Sequence, residues 1–171
     1  MKFKILELAR GQSKDIVKCE NGDLYDSQAT LMDWDGKQLY QSQHWNTDKT
    51  VGYAGGRLAK GTYYGIVGYR PVTWQPEPLR VVKLFASGEL DPEKITNENQ
   101  IPLKDWTLPS DIPNPNHDGA MIIDFVQCHP GSLKWDWSHG CQTALNYSGY
   151  TDYDNFIKLL KDNEIIIIRI V

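Results

Sequence analysis

Two of the four histidines and two of the three cysteines of this chain lie between positions 128 and 141, in the segment CHPGSLKWDWSHGC. A free cysteine thiol titrates near ~8.5, so it needs a neighbouring base or positive dipole to be a thiolate at neutral pH. A histidine at the end of one strand that faces a cysteine on the next loop is such a base. The spacing of His129 and Cys141 therefore predicts nucleophilic catalysis by a cysteine–histidine pair.

The residue before this cysteine adds to the prediction. Gly140 has no side chain, which allows the backbone to approach a substrate closely. Consecutive backbone N–H groups at Gly140 and Cys141 are the kind of donors that stabilise an oxyanion. The chemistry we expect is therefore acyl transfer through a tetrahedral intermediate.

A zinc site is the alternative for the same residues, because Cys128, His129, His139 and Cys141 form a Cys2His2 set. Cys128 and His129 are neighbours on a predicted strand, where successive side chains point to opposite faces. Both cannot reach one ion, so we expect Cys128 to face the core. The sequence predicts no metal and no other cofactor.

The segment Ser138–Cys141, SHGC, resembles the Ser-His-Gly-Cys motif of the L,D-transpeptidase catalytic domain, the YkuD-like family. Two upstream segments support the resemblance. Gly56–Tyr64, GRLAKGTYY, is similar to the family's Thr-Pro-x-Gly-Thr-Tyr/Phe segment, and Asp35–Tyr40, DGKQLY, to its opening hairpin. The resemblance covers residues 30–171, and its specific part is the Ser-His-Gly-Cys block.

The resemblance implies a role for each residue of the motif. Cys141 would be the nucleophile that attacks a carbonyl of a peptidoglycan stem peptide and forms a thioester. His129 would be its base, oriented by the backbone carbonyl of Pro130. His139 would shape the pocket and help to hold the acyl group, and Ser138 would support the loop. The backbone amides of the motif would form the oxyanion hole.

The chain also departs from the family pattern. Thr143 stands where the family usually has an arginine two residues after the cysteine, and the spacer after His129 is shorter than usual. The spacer contains Trp135 and Trp137, whose rings share one face if the segment is extended, and either cover the core or line a substrate groove. We expect a divergent member in which Trp135, Trp137 and Thr143 contact the substrate.

The elements that must position these residues are strands in the first half of the chain. Turn residues predict hairpins within Lys18–Tyr25 and Leu31–Tyr40. Residues rich in Val, Ile, Thr and Tyr predict strands at Thr62–Tyr69 and Leu79–Phe85. From 86 to 116 the sequence is rich in proline, asparagine and aspartate, which predicts an insertion or lid over the sheet.

The last third contains a predicted buried strand at Gly119–His129, a helix at Thr151–Asp162 and a final strand at Glu164–Val171. The helix has Thr151 or Asp152 as a cap, with Asp154 in its first turn, and its apolar face consists of Tyr153, Phe156, Ile157 and Leu160. The sequence therefore predicts one domain over residues 1–171, mostly β with one packed C-terminal helix (α+β). The resemblance implies an L,D-transpeptidase-like β-sandwich or barrel.

The composition limits which classes of partner the chain is expected to bind. The net charge of −4 and the absence of a Lys/Arg-rich block argue against binding of nucleic acid. No apolar run reaches the ~18 residues of a membrane span, and the odd number of cysteines favours free thiols. We expect a monomer that binds a peptidoglycan stem peptide.

The two remaining histidines are not expected to belong to the site. His44, next to Trp45, is expected in packing or at the surface, and His117 in a solvated turn.

The N-terminal stretch lacks the ~7–15-residue apolar segment of a signal peptide, whereas a wall enzyme acts in the periplasm or cell wall. The missing signal peptide and a site of action outside the membrane are compatible if a leader was removed, if phage lysis releases the protein, or if a secretion apparatus delivers it. The sequence leaves transpeptidation and hydrolysis (L,D-carboxypeptidase or endopeptidase) open. A second function also stays open: a non-catalytic cell-wall-binding, phage or effector module that retains the fold.

Overall fold

The computed structural model describes residues 2–48, 50–51, 58, 60–85, 126–134, 138 and 141–171. In this part of the chain the secondary structure is strands and one short helix, which confirms a mostly β fold with a helix near the C-terminus. The elements are β1 (Lys4–Ala9), β2 (Val17–Lys18), β3 (Leu24–Tyr25), β4 (Ser27–Met32), β5 (Gln38–Asn46), β6 (Gly61–Arg70), β7 (Leu79–Phe85), β8 (Gln127–Gly131), β9 (Gln142–Tyr147), β10 (Tyr150–Thr151), α1 (Asp152–Ile157) and β11 (Ile165–Ile170).

Nine of these strands form one mixed sheet in the order β10-β9-β5-β4-β1-β11-β6-β7-β8. Strand β8 also pairs with β9, so the sheet closes on itself at the strands that flank the candidate site. Strands β1 and β11 pair in parallel, so segments from both ends of the chain lie side by side. The remaining pair, β2 and β3, forms a separate hairpin.

The predicted strands of the first half are confirmed. The turn in Lys18–Tyr25 joins β2 to β3, and the Asp-Gly turn in Leu31–Tyr40 joins β4 to β5, with Gly36 at φ +87°. A positive φ costs glycine little because it has no Cβ. Strand β6 spans the predicted Thr62–Tyr69, β7 has the predicted bounds, and β11 lies within Glu164–Val171.

The core lies inside the closed sheet and under α1, which contacts β9, β5 and β8. Phe156 of α1 is fully buried and packs edge-on against Trp45, with ring centroids 5.1 Å apart. Burying one such side chain stabilises the fold by about 1.5–3 kcal/mol. Trp45 therefore packs in the core beneath the helix.

The helix is shorter than the sequence predicts. It ends at Ile157, whereas the apolar spacing predicts continuation to Asp162. Arg80 of β7 donates to the carbonyl oxygens of Ile157 and Leu160 at 2.8 and 2.7 Å. The Arg80 side chain thus provides hydrogen-bond donors for these carbonyl oxygens, so they do not need the N–H groups of a further helical turn. Within the described ranges no helix is long and apolar enough to cross a membrane.

Strand β8 differs from its predicted bounds at its C-terminal end, where it continues past His129 to Gly131. Its partner residues in β9 run from Gln142 to Leu145, in parallel. The earlier part of the predicted strand, 119–125, lies outside the described residues. The predicted lid at 86–116 and His117 also lie outside them.

Gly65 in β6 has no room for a side chain. A Cβ there would lie 2.6 Å from Val82 Cγ1 and 3.0 Å from Ile168 Cδ1. Gly65→Ala is therefore expected to lower the free energy of unfolding by about 1–3 kcal/mol, the usual cost of overpacking a core. Urea unfolding measures this loss. Gly68→Ala is the matched control on the same strand, because the nearest atom there is Lys83 Cε at 3.6 Å, and an equal loss in both variants would contradict the explanation.

Candidate functional site

The parallel pairing of β8 and β9 places the predicted base and nucleophile on one face. His129 is the register partner of Thr143, and Cys141 precedes Thr143 by two positions. Because side chains alternate along a strand, these three point to the same face. The backbone N–H of Gln127 donates to Cys141 Sγ at 3.4 Å, which places the sulfur at the start of β8. His129 and Cys141 are thus diagonal neighbours across the parallel pair of β8 and β9.

The orientation of the His129 ring is fixed by the chain itself. Its Nδ1 lies 2.8 Å from the carbonyl oxygen of Pro130. A carbonyl can only accept, so Nδ1 carries the proton and Nε2 is the basic nitrogen of the neutral ring. The contact between His129 and Pro130 that the resemblance implies is therefore present. His129 is 4% exposed, and Cys141 is 5% exposed.

Ser138 makes contacts suited to its expected role of supporting the loop. Its hydroxyl donates to the carbonyl oxygen of Cys141 at 2.8 Å. Its backbone N–H donates to Thr50 Oγ1, and the Thr50 N–H donates back to the Ser138 carbonyl, each at 2.6 Å. Ser138 is fully buried, and these bonds attach it to the loop that contains Thr50.

The β2–β3 hairpin holds the segments on both sides of the site, a role that the sequence did not predict. The Tyr25 hydroxyl and the Cys19 thiol both donate to the carbonyl of Ser132, just after β8. Asp23 Oδ1 accepts the backbone N–H of Val51 at 2.6 Å. Val51 follows Thr50, which binds Ser138, so the hairpin also supports the loop that contains Thr50. Cys19 is one of these contacts.

The third cysteine of the chain lies on the opposite face of β8. Cys128 is fully buried in the main core, as predicted. Burial raises the pKa of the Cys128 thiol, and the neighbouring Cys141 raises it further. Cys128 therefore stays protonated and is unsuited to act as a nucleophile. All three cysteines are free thiols, and no group of His, Cys, Asp and Glu in the described ranges could hold a metal ion.

Thr143 lies on the face that His129 and Cys141 share. It is fully buried, and its Oγ1 has no hydrogen-bond partner. A buried hydroxyl without a partner costs about 1–3 kcal/mol. The other predicted site residues, His139, Gly140, Trp135 and Trp137, lie outside the described residues.

A further cluster of polar groups surrounds His44 of β5. His44 Nε2 is 2.8 Å from Asp15 Oδ2, and its Nδ1 is 3.1 Å from Asp152 Oδ1 at the start of α1. Partial burial lowers the pKa of His44, but the two carboxylates outweigh this effect and raise it above the ordinary value. The cluster joins the β1–β2 connection to the helix, which is a structural role.

This cluster predicts a pH-dependent stability. His44 binds its proton more tightly in the folded state than in the unfolded state, where histidine titrates near ~6.5. Its stabilisation is therefore complete below about pH 6.5 and is lost as the pH rises through the higher folded-state pKa. Relative to His44→Gln, the wild type should lose up to about 1 kcal/mol of unfolding free energy between about pH 5.5 and 8.5. Urea unfolding at both pH values measures this, and parallel curves would contradict it.

Comparison with family models, with curated proteins and with solved structures finds no match for this chain.

Proposed function

We propose that this chain is a cysteine-dependent acyltransferase or peptidase, with an L,D-transpeptidase-like fold, that acts on peptidoglycan stem peptides through a thioester on Cys141. The observation that carries the proposal is the register of β8 and β9, which puts Cys141 and a carbonyl-oriented His129 on one face. The Ser-His-Gly-Cys resemblance supplies the substrate class. The strand geometry supports the choice of base and nucleophile.

The ring orientation suits His129 to the role of general base. The two nitrogens of an imidazole point in widely different directions, so the bond from Nδ1 to Pro130 directs Nε2 away from that carbonyl. Pro130 follows His129 along β8, whereas the Cys141 sulfur lies beside Gln127, which precedes it. Nε2 is therefore the ring nitrogen that remains to accept the thiol proton. A base that removes the proton from a thiol activates it as a nucleophile.

The proposed reaction has two steps. The thiol proton of Cys141 moves to His129 Nε2, the sulfur attacks the peptide carbonyl carbon, and a C–S bond forms. When the C–N bond breaks, the imidazolium returns the proton to the leaving amine. The thioester is then attacked by an amine, which gives a new peptide bond, or by water, which gives a carboxylate. Which of them reaches the thioester decides between transpeptidase and hydrolase.

Two backbone contacts support the nucleophile. The N–H of Gln127 points to the Cys141 sulfur, and a hydrogen bond of this kind favours the charged thiolate over the thiol. The Ser138 hydroxyl bonds to the Cys141 carbonyl, which holds the peptide unit after the nucleophile in one orientation. Such fixed geometry reduces the reorganisation needed when the sulfur attacks.

The test is the appearance of an acyl adduct on Cys141. Purified protein would be incubated with murein stem-peptide fragments and, separately, with a carbapenem, which the resemblance implies as a trap. Intact mass spectrometry measures the adduct, and peptide mapping assigns it to one cysteine. We expect the label on Cys141 and not on the core residue Cys128. Unmodified protein together with unchanged fragments would favour the non-catalytic binding module.

A pH profile of alkylation gives an independent reading of the same site. We expect Cys141 to react with iodoacetamide with a midpoint well below the ~8.5 of a free thiol. A midpoint near that value would contradict the proposed function. Cys19 is the internal reference, because its thiol donates to a neutral carbonyl oxygen, Ser132 O.

A further inference from the structure

Cys141 lies just outside the sheet that holds the residues after it. Strand β9 begins at Gln142, which pairs with Cys128 of β8, so the sheet fixes the chain on the C-terminal side of Cys141. From the N-terminal side the Ser138 hydroxyl donates to the Cys141 carbonyl oxygen at 2.8 Å. The position of the nucleophile therefore depends on what holds Ser138 as well as on the sheet.

Thr50 holds Ser138 by two hydrogen bonds that run in opposite directions. The Ser138 N–H donates to Thr50 Oγ1, and the Thr50 N–H donates to the Ser138 carbonyl oxygen, each at 2.6 Å. Thr50 is 1% exposed and Ser138 is fully buried. Hydrogen bonds in such surroundings are stronger than in water. Two of them between the same pair of residues restrict both translation and rotation of the segment that contains Ser138.

The loop that contains Thr50 is held in turn by the β2–β3 hairpin. Asp23 Oδ1 accepts the backbone N–H of Val51, the residue after Thr50, at 2.6 Å. Asp23 is 2% exposed, and a hydrogen bond to a carboxylate is stronger than one between neutral groups. A continuous series of hydrogen bonds and one peptide link therefore joins this carboxylate to the nucleophile.

We infer that Thr50 is a positioning residue that, through Ser138, holds Cys141 where its thiol is converted to a thiolate; this rests on the proposed function. The thiol proton passes to His129, and no bond of Thr50 is made or broken. The thiolate is also favoured by the Gln127 N–H, which lies 3.4 Å from the sulfur. Hydrogen bonds weaken steeply as distance and angle depart from the optimum. A sulfur whose supporting loop moves is therefore less stabilised as a thiolate, and its reactivity approaches that of a free thiol.

The test compares Thr50→Val, which removes the acceptor oxygen at nearly constant volume, with Thr50→Ser, which keeps it. The valine variant retains the backbone N–H that donates to Ser138, so the loop should still fold. The readout is the pH profile of Cys141 alkylation by iodoacetamide in the whole chain, assigned by peptide mass. We expect alkylation of Thr50→Val to be about tenfold slower than wild type below the midpoint, which corresponds to a midpoint about one pH unit higher. Thr50→Ser should stay close to wild type.

Ser42→Ala is the matched control for a loss of stability. The Ser42 hydroxyl donates to Asp152 Oδ1 at 2.6 Å and accepts the His44 N–H, and Ser42 is 5% exposed. This variant thus also loses a short, buried hydrogen bond. We expect both Thr50→Val and Ser42→Ala to lower the thermal unfolding midpoint, and only Thr50→Val to shift the Cys141 profile. A merely structural role of Thr50 would give the wild-type profile in both variants.

The outcomes separate this inference from the proposed function. A wild-type midpoint near ~8.5 would overturn both. A low wild-type midpoint that Thr50→Val leaves unchanged would overturn only the role of Thr50, as would an equal shift in Thr50→Ser or in Ser42→Ala.

A second variant makes the same test if Thr50→Val does not fold. Asp23→Asn acts one contact further from the site, because it keeps an acceptor oxygen for the Val51 N–H and loses the charge that strengthens this bond. We expect it to raise the Cys141 midpoint by a smaller amount than one pH unit. An unchanged midpoint in Asp23→Asn would then overturn the inference.

Discussion

Replacing Cys141 with serine is expected to abolish the acyl adduct and to lower turnover of stem-peptide fragments by about three orders of magnitude or more. Serine has nearly the same shape, and its hydroxyl oxygen can accept the Gln127 N–H in place of the sulfur, so the fold should be retained. A serine hydroxyl is far less acidic than a thiol, and His129 would have to remove a much more tightly held proton. Product analysis by chromatography and intact mass of the protein measure the two losses.

Cys19→Ser is the matched control for this experiment. Cys19 is also buried, and its thiol donates to the Ser132 carbonyl at 3.3 Å. A serine hydroxyl can donate the same bond, so we expect normal folding and normal adduct formation. Full activity in both the Cys141 and the Cys19 variant would show that Cys141 is not the nucleophile. Loss of activity in both would indicate damage to the fold.

The short hairpins and the two long strands of the first half could be predicted because their signals are local. Asp-Gly and Asn-Gly turns between β-branched and aromatic residues specify a hairpin within a few residues. Strand β1 is absent from the predicted elements although it lies inside the sheet. Its six residues alternate around Leu6 and Leu8, but its partners β4 and β11 come from distant parts of the chain, and no local pattern identifies them.

The same limit applies to the candidate site. The residue types of Cys141 and His129 and their spacing are the basis for predicting a nucleophile and its base. The register that places them on one face arises from the parallel pairing of β8 and β9, which depends on how the whole sheet closes. The support from the β2–β3 hairpin has no signal in the sequence, because it consists of contacts between segments far apart in the chain.

His129→Asn is expected to slow adduct formation at neutral pH by about two to four orders of magnitude, the usual contribution of a general base. Asparagine keeps an N–H donor near the position of Nδ1 and can retain the bond to the Pro130 carbonyl, which is 2.8 Å from Nδ1 in the wild type. It provides no base in place of Nε2.

The shape of the pH profile distinguishes loss of the base from loss of the fold. Without His129 the thiol must ionise alone, so the residual rate of the variant should rise steadily up to about pH 8.5, whereas the wild-type rate levels off earlier. A misfolded variant would be slow at every pH and would have a lower thermal midpoint. An unchanged rate at neutral pH would contradict the role of His129, because the hydrogen bond from the Gln127 N–H to the sulfur would then suffice to generate the thiolate without a base.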